Sequence, residues 1–314
     1  MSNYVRISTV APRALREKPD VNQAAVDRMI AFWKEELDQV LPDQPDLIVV
    51  PEACDRYPAL SKEERKAYYR LRGDQVLHFF ADTAQEHNCY IAYSAARELP
   101  DGTWRNSTQL IGRDGAVVGI YNKNHCTIGE TNDGGVLCGR EAPVFACDFG
   151  RVGCAICFDL NFDELRLKYV ESQPDLILFS SMYHGGLMQN YWAYSCRAHL
   201  VTSVCGAPSG VISPVGDVLA MSTNYYDFVS TTVNLDCKVV HLDYNREKLA
   251  AMRKKYGPIV SVYDPGYLGA VLMASETDEV TSDDLLQEFG IELWDDYYAR
   301  ALAHRHAPKN MEPA

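Results

Sequence analysis

The chain has 314 residues, of which 47% are hydrophobic and 23% charged, a composition typical of a globular protein with a large core. Its formal net charge of −13 argues against a nucleic acid or an anionic membrane surface as a partner, because both attract basic proteins. No apolar run approaches the roughly 20 residues that a membrane-spanning helix needs.

The N-terminal sequence and the distribution of cysteines indicate the cellular compartment of the protein. The segment 1–10 has no basic region followed by a long apolar stretch, so no signal peptide is predicted. The 10 cysteines are scattered through apolar segments, as reduced thiols in a cytosolic protein are, and do not form a disulfide framework. We therefore expect a cytoplasmic location.

The hydrophobic pattern predicts alternating strands and helices in the first half of the chain. A helix capped by Asp20 or Asn22 is expected to reach about residue 40, and the capping box from Ser61 to Glu64 opens a helix expected to reach about residue 87. The strands are predicted at 4–10, 47–51 and 89–95, and a hairpin with an Asp-Gly turn at 110–118.

The second half continues the alternation as far as about residue 256. A hairpin is predicted over 145–156, helices at 160–171, 187–199 and 246–255, and strands at 176–179, 201–205, 211–213, 218–221 and 230–235. The stretch 257–272, rich in Pro and Gly, reads as irregular extended chain, and 281–306 reads as one polar amphipathic helix. Strands that alternate with helices and hairpins predict an α/β protein with helices outside a mixed sheet system.

Reactive side chains follow three of the predicted strands. Glu52 follows an apolar run, Lys123 follows another, and Cys157 stands where an apolar strand turns into a polar, helix-like segment. A cysteine at the start of a helix is placed where a thiolate is stabilised and exposed. Together the three side chains supply a nucleophile, a base and a cationic stabiliser.

These motifs, in this order and at these separations, resemble the nitrilase superfamily of carbon–nitrogen hydrolases, whose members use a Glu-Lys-Cys triad. Two further segments are similar to the family's second glutamate and its late hairpin. The matching segments are Pro51-Glu52, Tyr121–His125 around Lys123, Ile128–Glu130, Gly153–Asp159 around Cys157, and Gly210–Ala220.

The resemblance implies a four-layer α-β-β-α sandwich. It also implies a carbon–nitrogen hydrolase domain over 1–256, followed by a C-terminal extension over 257–314. Extensions of this kind wrap a partner subunit in similar proteins, and the alternative is a helix packed on its own core. We expect a homodimer or a larger even-numbered homo-oligomer.

The resemblance further implies roles for the site residues, without any cofactor or metal. Cys157 would attack the substrate carbon, and Glu52 would be the general base. Lys123 and the backbone N–H of Phe158 would stabilise the oxyanion. Glu130 would orient Lys123 or assist the proton transfers.

The substrate pocket is expected to include Tyr183 and His184, in a loop that shapes the pocket of relatives. Asn161 stands four residues after the nucleophile, where many relatives that bind a carboxylate have an arginine. Arg56, by turning inward, or Arg166 could replace that arginine; the alternative is that both are ordinary surface and helix charges. Without such a cation a desolvated carboxylate is unfavourable, so we expect uncharged or cationic substrates to be preferred.

The function predicted is hydrolysis of an amide or N-carbamoyl carbon–nitrogen bond through a thioester, with release of ammonia or an amine. Nitrilases proper commonly have Trp-Glu directly after the nucleophile, whereas this chain has Phe158-Asp159, which favours the amidase and carbamoylase branches over a nitrile substrate. A different class of function is a redox or zinc-binding protein that uses Cys154 and Cys157, although residues three apart in a strand face opposite sides. A third is a binding protein of this fold without catalysis.

Overall fold

The computed structural model describes residues 2–312. Its strands are β1 (Tyr4–Val10), β2 (Leu47–Val49), β3 (Tyr90–Glu98), β4 (Trp104–Ile111), β5 (Val117–Asn122), β6 (Phe145–Cys147), β7 (Gly150–Ile156), β8 (Leu176–Ser181), β9 (His199–Val204), β10 (Gly210–Ile212), β11 (Val218–Met221), β12 (Phe228–Asn234), β13 (Cys237–His241), β14 (Val260–Tyr263) and β15 (Ala270–Ser275). Its helices are α1 (Gln23–Leu37), α2 (Lys62–Arg72), α3 (Gln75–Glu86), α4 (Ile128–Asn132), α5 (Asp163–Ser172), α6 (Leu187–Cys196), α7 (Arg246–Tyr256), α8 (Ser282–Phe289) and α9 (Trp294–His306).

The chain divides into two compact units. The larger comprises Val5–Thr232, and the smaller comprises the described residues before and after it. The predicted boundary between residues 256 and 257 and the role predicted for the extension stay predictions.

The larger unit contains two six-stranded sheets, with strand orders β12-β1-β2-β3-β4-β5 and β11-β10-β9-β8-β7-β6. Helices α1, α2 and α3 pack on the first sheet, and α5 and α6 on the second. The sheets are joined by hydrogen bonds from Ser180 Oγ to the Val50 carbonyl (2.8 Å) and from Ser203 Oγ to the Val10 carbonyl (3.0 Å). The four-layer α-β-β-α fold predicted from the sequence is therefore confirmed.

The strand directions bring the ends of the central strands together. In the first sheet β2 and β3 are parallel, while β4 is antiparallel to both β3 and β5. Strands β2 and β5 therefore run in the same direction and end at the same edge of the sheet. In the second sheet Ile156, the last residue of β7, lies opposite Ser180, which contacts Val50 just after β2. The segments after β2, β5 and β7 therefore meet.

The core beneath the first sheet is aromatic and depends on the amphipathic face of α1. This helix is capped by Asn22, whose side chain accepts a hydrogen bond from Ala25, and it buries Trp33 against Phe80 of α3. Phe80 in turn packs on Tyr93 of β3, with ring centroids 4.9 Å apart. Burying such rings is among the largest contributions to core stability, and it fixes the strands that carry the site.

Two predicted helices are wrong in length because each is divided at a glycine. The helix expected over 61–87 is α2 followed by α3, and Gly73 between them adopts φ 49°. The helix expected over 281–306 is α8 followed by α9, separated at Gly290, which adopts φ 61°. A left-handed backbone ends a helix, and glycine adopts it without steric strain.

The smaller unit corrects the irregular chain predicted over 257–272. Its sheet has the order β13-β15-β14, with antiparallel pairs such as Val239 with Leu272. Helices α7 and α8 cover it with a small apolar core that includes Leu249, Met273 and Leu285. The strands were missed because they are short and lie next to Pro and Gly residues, and because β15 pairs with both β13 and β14, which are separated from each other in sequence.

A buried ion pair holds the loop after β2. Asp55 is fully buried and pairs with Arg72 at the end of α2, and Tyr93 donates a hydrogen bond to the same carboxylate (2.6 Å). The loop carries Glu52 three residues earlier in the chain. Asp55 thus ties the position of Glu52 to α2 and β3.

We expect Arg72→Met to destabilise the protein by about 3–5 kcal/mol, because removing one partner of a buried pair leaves the other charge uncompensated. The matched control is Arg70→Met on the same helix, whose ion pair with Glu98 is exposed to solvent and contributes little. Urea unfolding of both variants measures the difference. Equal effects of the two substitutions would contradict the role assigned to Asp55 and Arg72.

Candidate active site

Glu52 lies in the turn after β2 and is buried. Its Oε1 accepts hydrogen bonds from Asn106 Nδ2 (2.8 Å) and Lys123 Nζ (2.8 Å), and its Oε2 accepts one from the backbone N–H of Met182 (3.1 Å). The next residue, Ala53, adopts φ 45°, which turns the chain sharply away from the carboxylate. Three donors therefore fix the orientation of the carboxylate.

Lys123 follows β5, and only 1% of its surface is exposed. Its ammonium group donates to Glu52 Oε1 (2.8 Å) and to both carboxylate oxygens of Glu130 (3.0 and 2.9 Å). Burial works to lower the pKa of Lys123, but the Glu52 and Glu130 carboxylates, with a smaller effect of Cys157, outweigh it and raise the pKa above its usual range. The lysine is a permanent buried cation at neutral pH.

Glu130 is placed by the first turn of α4. The helix opens with a capping box, in which Thr127 Oγ1 accepts from the Glu130 N–H (3.2 Å) and Glu130 Oε2 accepts from the Thr127 N–H (2.7 Å). Burial works to raise the pKa of Glu130, but Lys123 and these hydrogen bonds outweigh it and lower the pKa. The side chain is thereby held against Lys123 as an anion.

Cys157 stands at the end of β7 and opens a 3-10 turn that runs from Cys157 to Asn161, with φ 50° at the cysteine. Its thiol lies near the Glu52 carboxylate and the backbone N–H of Met182, and both affect its pKa. Burial raises the pKa of the thiol to about 11, and Glu52 adds to this, while Lys123 and the Met182 N–H oppose it.

The expectation of an exposed, stabilised thiolate is therefore wrong. The cysteine is 9% exposed, and the turn that follows it is a short 3-10 turn with no α-helix N-terminus at the sulfur. The nearby carboxylate of Glu52 favours the protonated thiol. At rest the site holds a neutral thiol beside a carboxylate that can accept its proton.

Asp159 is a residue whose importance was missed. It is fully buried and accepts hydrogen bonds from the Tyr121 hydroxyl (2.6 Å), the Ile156 N–H (2.9 Å) and the His125 N–H (2.8 Å). Tyr121 and His125 flank Lys123, so Asp159 joins the turn of Cys157 to the segment of Lys123. The available signal in the sequence was the position of Asp159, two residues after Cys157.

Asn106 on β4 was also missed. Its Nδ2 donates to Glu52 Oε1 (2.8 Å) and Glu130 Oε1 (3.0 Å), and its carbonyl accepts from the Lys123 N–H (2.8 Å). Its Oδ1 is buried and has no hydrogen-bond partner among residues 2–312. Sequence offered no signal for it, because it precedes the predicted hairpin and belongs to no recognised motif.

The other residues predicted for the site lie at different places in the structure, and they differ in how far they are exposed. Phe158 follows the nucleophile and is partly exposed, and Asn161 Nδ2 donates to the Phe158 carbonyl within the same turn (3.1 Å). Tyr183 and His184 are exposed in the loop after β8, where His184 Nδ1 accepts from a backbone N–H two residues on. Arg56 is half-buried and lines a cavity beside the lysine and the two glutamates.

The thiol pair proposed for redox or zinc chemistry has no support from the geometry. Cys154 is buried within β7, and neither Cys154 nor Cys157 is in a disulfide. Burial raises the pKa of Cys154 above its usual range, which makes it a poor thiolate. Over residues 2–312, no group of three or more His, Cys, Asp and Glu side chains is arranged to bind a metal.

No helix within the described part of the chain is long and apolar enough to span a membrane.

Comparison with known proteins identifies a family. Residues 10–205 match the sequence model of the family described as carbon-nitrogen hydrolase. The matched region contains Glu52, Lys123, Glu130 and Cys157.

Individual relatives are distant. The deaminated glutathione amidase of Mus musculus is 27% identical over 177 residues, which are 51% of this chain and 53% of that protein, so the match spans about half of it. The omega-amidase NIT2-B of Xenopus laevis is 22% identical over 69% of this chain and 85% of its own. The solved structure of Saccharomyces cerevisiae Nit3, a member of branch 10 of the nitrilase superfamily, aligns with a TM-score of 0.60 at 15% identity, over 82% of this chain and 95% of that one.

The raised pKa of Cys157 makes a testable prediction. Because only the thiolate reacts with iodoacetamide, we expect labelling of Cys157 to be slow at pH 7 and to accelerate by about tenfold per pH unit up to pH 10. Mass spectrometry of the Cys157 peptide gives the rate. Glu52→Gln removes a carboxylate that raises the pKa of the thiol, so its labelling profile should move to lower pH. A plateau by pH 8 in the wild type would contradict the neutral resting thiol.

Proposed function

The chain belongs to the carbon–nitrogen hydrolase family, and we propose that it is a cysteine-dependent amidase acting on an amide or N-carbamoyl compound. The observation that carries the proposal is the buried cluster of Glu52, Lys123 and Glu130 against the Cys157 thiol. It combines a candidate nucleophile, a nearby carboxylate that can act as its base, and a fixed positive charge.

The first half of the reaction forms a thioester. Glu52 accepts the proton of Cys157 as the sulfur attacks the carbonyl carbon, which is needed because the pKa of the thiol is about 11. The negative charge that develops on the carbonyl oxygen is stabilised by Lys123 and the backbone N–H of Phe158. Glu52 then gives the proton to the leaving nitrogen, the carbon–nitrogen bond breaks, and ammonia or an amine departs.

The second half releases the acid. Glu52 takes a proton from a water molecule as the oxygen attacks the thioester carbon, and the same donors stabilise the second oxyanion. The carbon–sulfur bond breaks, and Glu52 returns the proton to Cys157. Glu130 acts by holding Lys123 in place with two hydrogen bonds and by keeping its charge.

An amide carbonyl is a better-supported substrate group than a nitrile. Both named relatives are amidases, one acting on deaminated glutathione and the other an omega-amidase. The Phe158-Asp159 pair after the nucleophile also differs from the Trp-Glu pair common in nitrilases proper. The buried position of Asp159 and its hydrogen bonds to three donors support this pair as part of the site's framework.

The protein is proposed to be a homodimer or a larger even-numbered homo-oligomer. Helices α5 and α6, which follow the nucleophile and the next strand, expose large apolar side chains at Leu167 (54%), Leu187 (81%) and Tyr191 (41%). Burying these side chains against a second subunit would remove them from water, and this supports an interface at α5 and α6.

We propose that the protein acts in the cytoplasm on a small-molecule substrate and that it uses no cofactor. The net charge of −13 supports the exclusion of nucleic acid and of anionic membranes as partners.

We expect Cys157→Ala to lower turnover by at least about a thousandfold while the protein stays folded, since it removes the nucleophile and little volume. The matched control is Cys154→Ala, which removes the other thiol of the pair and should keep turnover. Release of ammonia or acid from a panel of amides, N-carbamoyl compounds and nitriles measures activity, and circular dichroism checks folding. Wild-type rates in Cys157→Ala would refute the mechanism, and loss of activity in Cys154→Ala would favour the redox alternative.

Oligomerisation has its own test. We expect light scattering at micromolar concentration to give at least twice the mass of one chain, and Leu187→Glu to reduce it because a charge in an apolar interface is unfavourable. Leu71→Glu, at an exposed apolar position on α2, is the control and should leave the mass unchanged. A monomeric, fully active wild type would count against the assembly.

A further inference from the structure

Cys126 and Cys138 are two thiols outside the triad that the proposed reaction does not use. Cys126 Sγ donates a weak hydrogen bond to the Lys123 carbonyl (3.9 Å), and the Gly139 N–H donates to the same oxygen (2.7 Å). Cys138 directly precedes Gly139. The Cys138 thiol is close enough to raise the pKa of the Cys126 thiol, behind the larger effects of burial and of Glu130. The Lys123 carbonyl therefore brings the two thiols to one place.

The pair differs from the other cysteines in its access to solvent. All ten cysteines lie within residues 2–312 as free thiols, and only Cys138 is exposed. Cys126 is half-buried, whereas Cys154 and Cys157 are buried. A small oxidant that arrives from solvent therefore reaches the sulfur of Cys138 first, and Cys126 is the thiol next to it.

The pair is connected to the triad through the first turn of α4. Thr127, the residue after Cys126, caps this helix, and its N–H donates to Glu130 Oε2 (2.7 Å). Glu130 in turn accepts hydrogen bonds from the Lys123 ammonium group at both carboxylate oxygens (3.0 and 2.9 Å). A displacement of Cys126 therefore acts on the cap of α4 and on the carboxylate that holds Lys123.

We propose that Cys126 and Cys138 are a redox-sensitive pair, which a peroxide converts to a disulfide that shifts Glu130 and reversibly lowers turnover. The modification itself is independent of the amidase reaction proposed above, whereas its effect on turnover rests on that reaction. Disulfides of cytosolic proteins are usually transient and serve catalysis or redox sensing, so a reversible disulfide suits the proposed location.

The oxidation has two steps and consumes one molecule of peroxide. The Cys138 thiolate attacks one oxygen of hydrogen peroxide, the oxygen–oxygen bond breaks, and a sulfenic acid forms while the other oxygen leaves as water with the proton of the thiol. Cys126 then attacks the sulfenic sulfur, the sulfur–oxygen bond breaks, and a second water leaves with the proton of Cys126. The two thiols lose two electrons, which reduce the peroxide.

The expected effect on turnover follows from the position of Cys126 before the cap of α4. A covalent bond brings two sulfur atoms closer together than a non-bonded contact does, so the disulfide draws Cys126 away from the Lys123 carbonyl. Thr127 moves with it, and so does the carboxylate of Glu130. Displacing a group that positions the reacting atoms by about 1 Å can lower a rate by about a hundredfold.

The disulfide can be detected in a single peptide. Trypsin cleaves after Lys123 and Arg140, and the peptide 124–140 contains both thiols of the pair and none of the other cysteines. After treatment of the whole protein with stoichiometric hydrogen peroxide, we expect this peptide to lose the mass of two hydrogens and to resist alkylation. Dithiothreitol should reverse both changes. Absence of the disulfide from this peptide would refute the redox-sensitive pair.

Turnover is measured on the same samples, with an amide that the reduced protein hydrolyses. We expect oxidation to lower kcat by about tenfold or more and dithiothreitol to restore it. Cys138→Ser should keep its rate after peroxide, and the control Cys147→Ser, at a half-buried position on β6, should respond as the wild type does. Unchanged turnover in the oxidised wild type would overturn the proposal. Equal losses in the wild type and Cys138→Ser would also overturn it, because another thiol would then be responsible.

A measurement without substrate separates failure of the pair from failure of the amidase reaction. Lys123 opposes the raised pKa of Cys157, and a shift of Glu130 that moves the ammonium group weakens this effect. Labelling of Cys157 by iodoacetamide at about pH 8 should therefore slow by about threefold or more in the oxidised wild type, and not in peroxide-treated Cys138→Ser. If this occurs while no amide is hydrolysed, the amidase proposal fails and the redox-sensitive pair stands. Equal labelling rates in the oxidised and reduced wild type would refute the effect of the pair on the site.

Discussion

The buried charge of Lys123 is the interaction on which the rest of the site depends. An ammonium group with 1% of its surface exposed is strongly unfavourable unless carboxylates surround it, and here Glu52 and Glu130 both do so. The cluster then carries one more negative charge than positive, and it lies against the Cys157 thiol. The consequence is a thiol with a raised pKa next to the carboxylate that can accept its proton. This balance of charge supports the proposed general-base activation, in which the thiolate forms only during attack.

Buried polar side chains outside the triad set its geometry. Asn106 joins the two glutamates, Asp159 joins the turn of Cys157 to the segment of Lys123, and Asp55 with Arg72 holds the loop of Glu52. Each link connects different elements of the fold, and the links of Asn106 and Asp159 join segments from different strands. The sheets bring these ends together, and the buried links fix side chains to within the short distances that proton transfer requires.

Features of the fold and the site could be predicted from the sequence where they depend on residues that are close together along the chain. Strand β1, helix α1 with its Asn22 cap and the start of α2 at its capping box depend on neighbouring residues, and their sequence signals were sufficient. The motifs around Glu52, Lys123 and Cys157 were recognisable for the same reason. The breaks at Gly73 and Gly290 were missed because apolar spacing continues across both, whereas β13, β14 and β15 depend on pairing between distant segments. The state of the thiol and the links of Asn106 depend on side chains more than 50 positions away, such as Glu52, which no local pattern contains.

The raised pKa of the Cys157 thiol constrains where a substrate of the proposed reaction can carry negative charge. A substrate carboxylate bound close to Cys157 would add a negative charge to a site where Glu52 already raises the pKa of the thiol, and it would oppose formation of the thiolate and the oxyanion. Coulomb repulsion weakens with distance and with compensation by opposite charge. Asparagine at position 161 leaves the turn after Cys157 uncharged at that position, so in the proposed reaction no arginine at this position competes with Lys123 for the developing oxyanion.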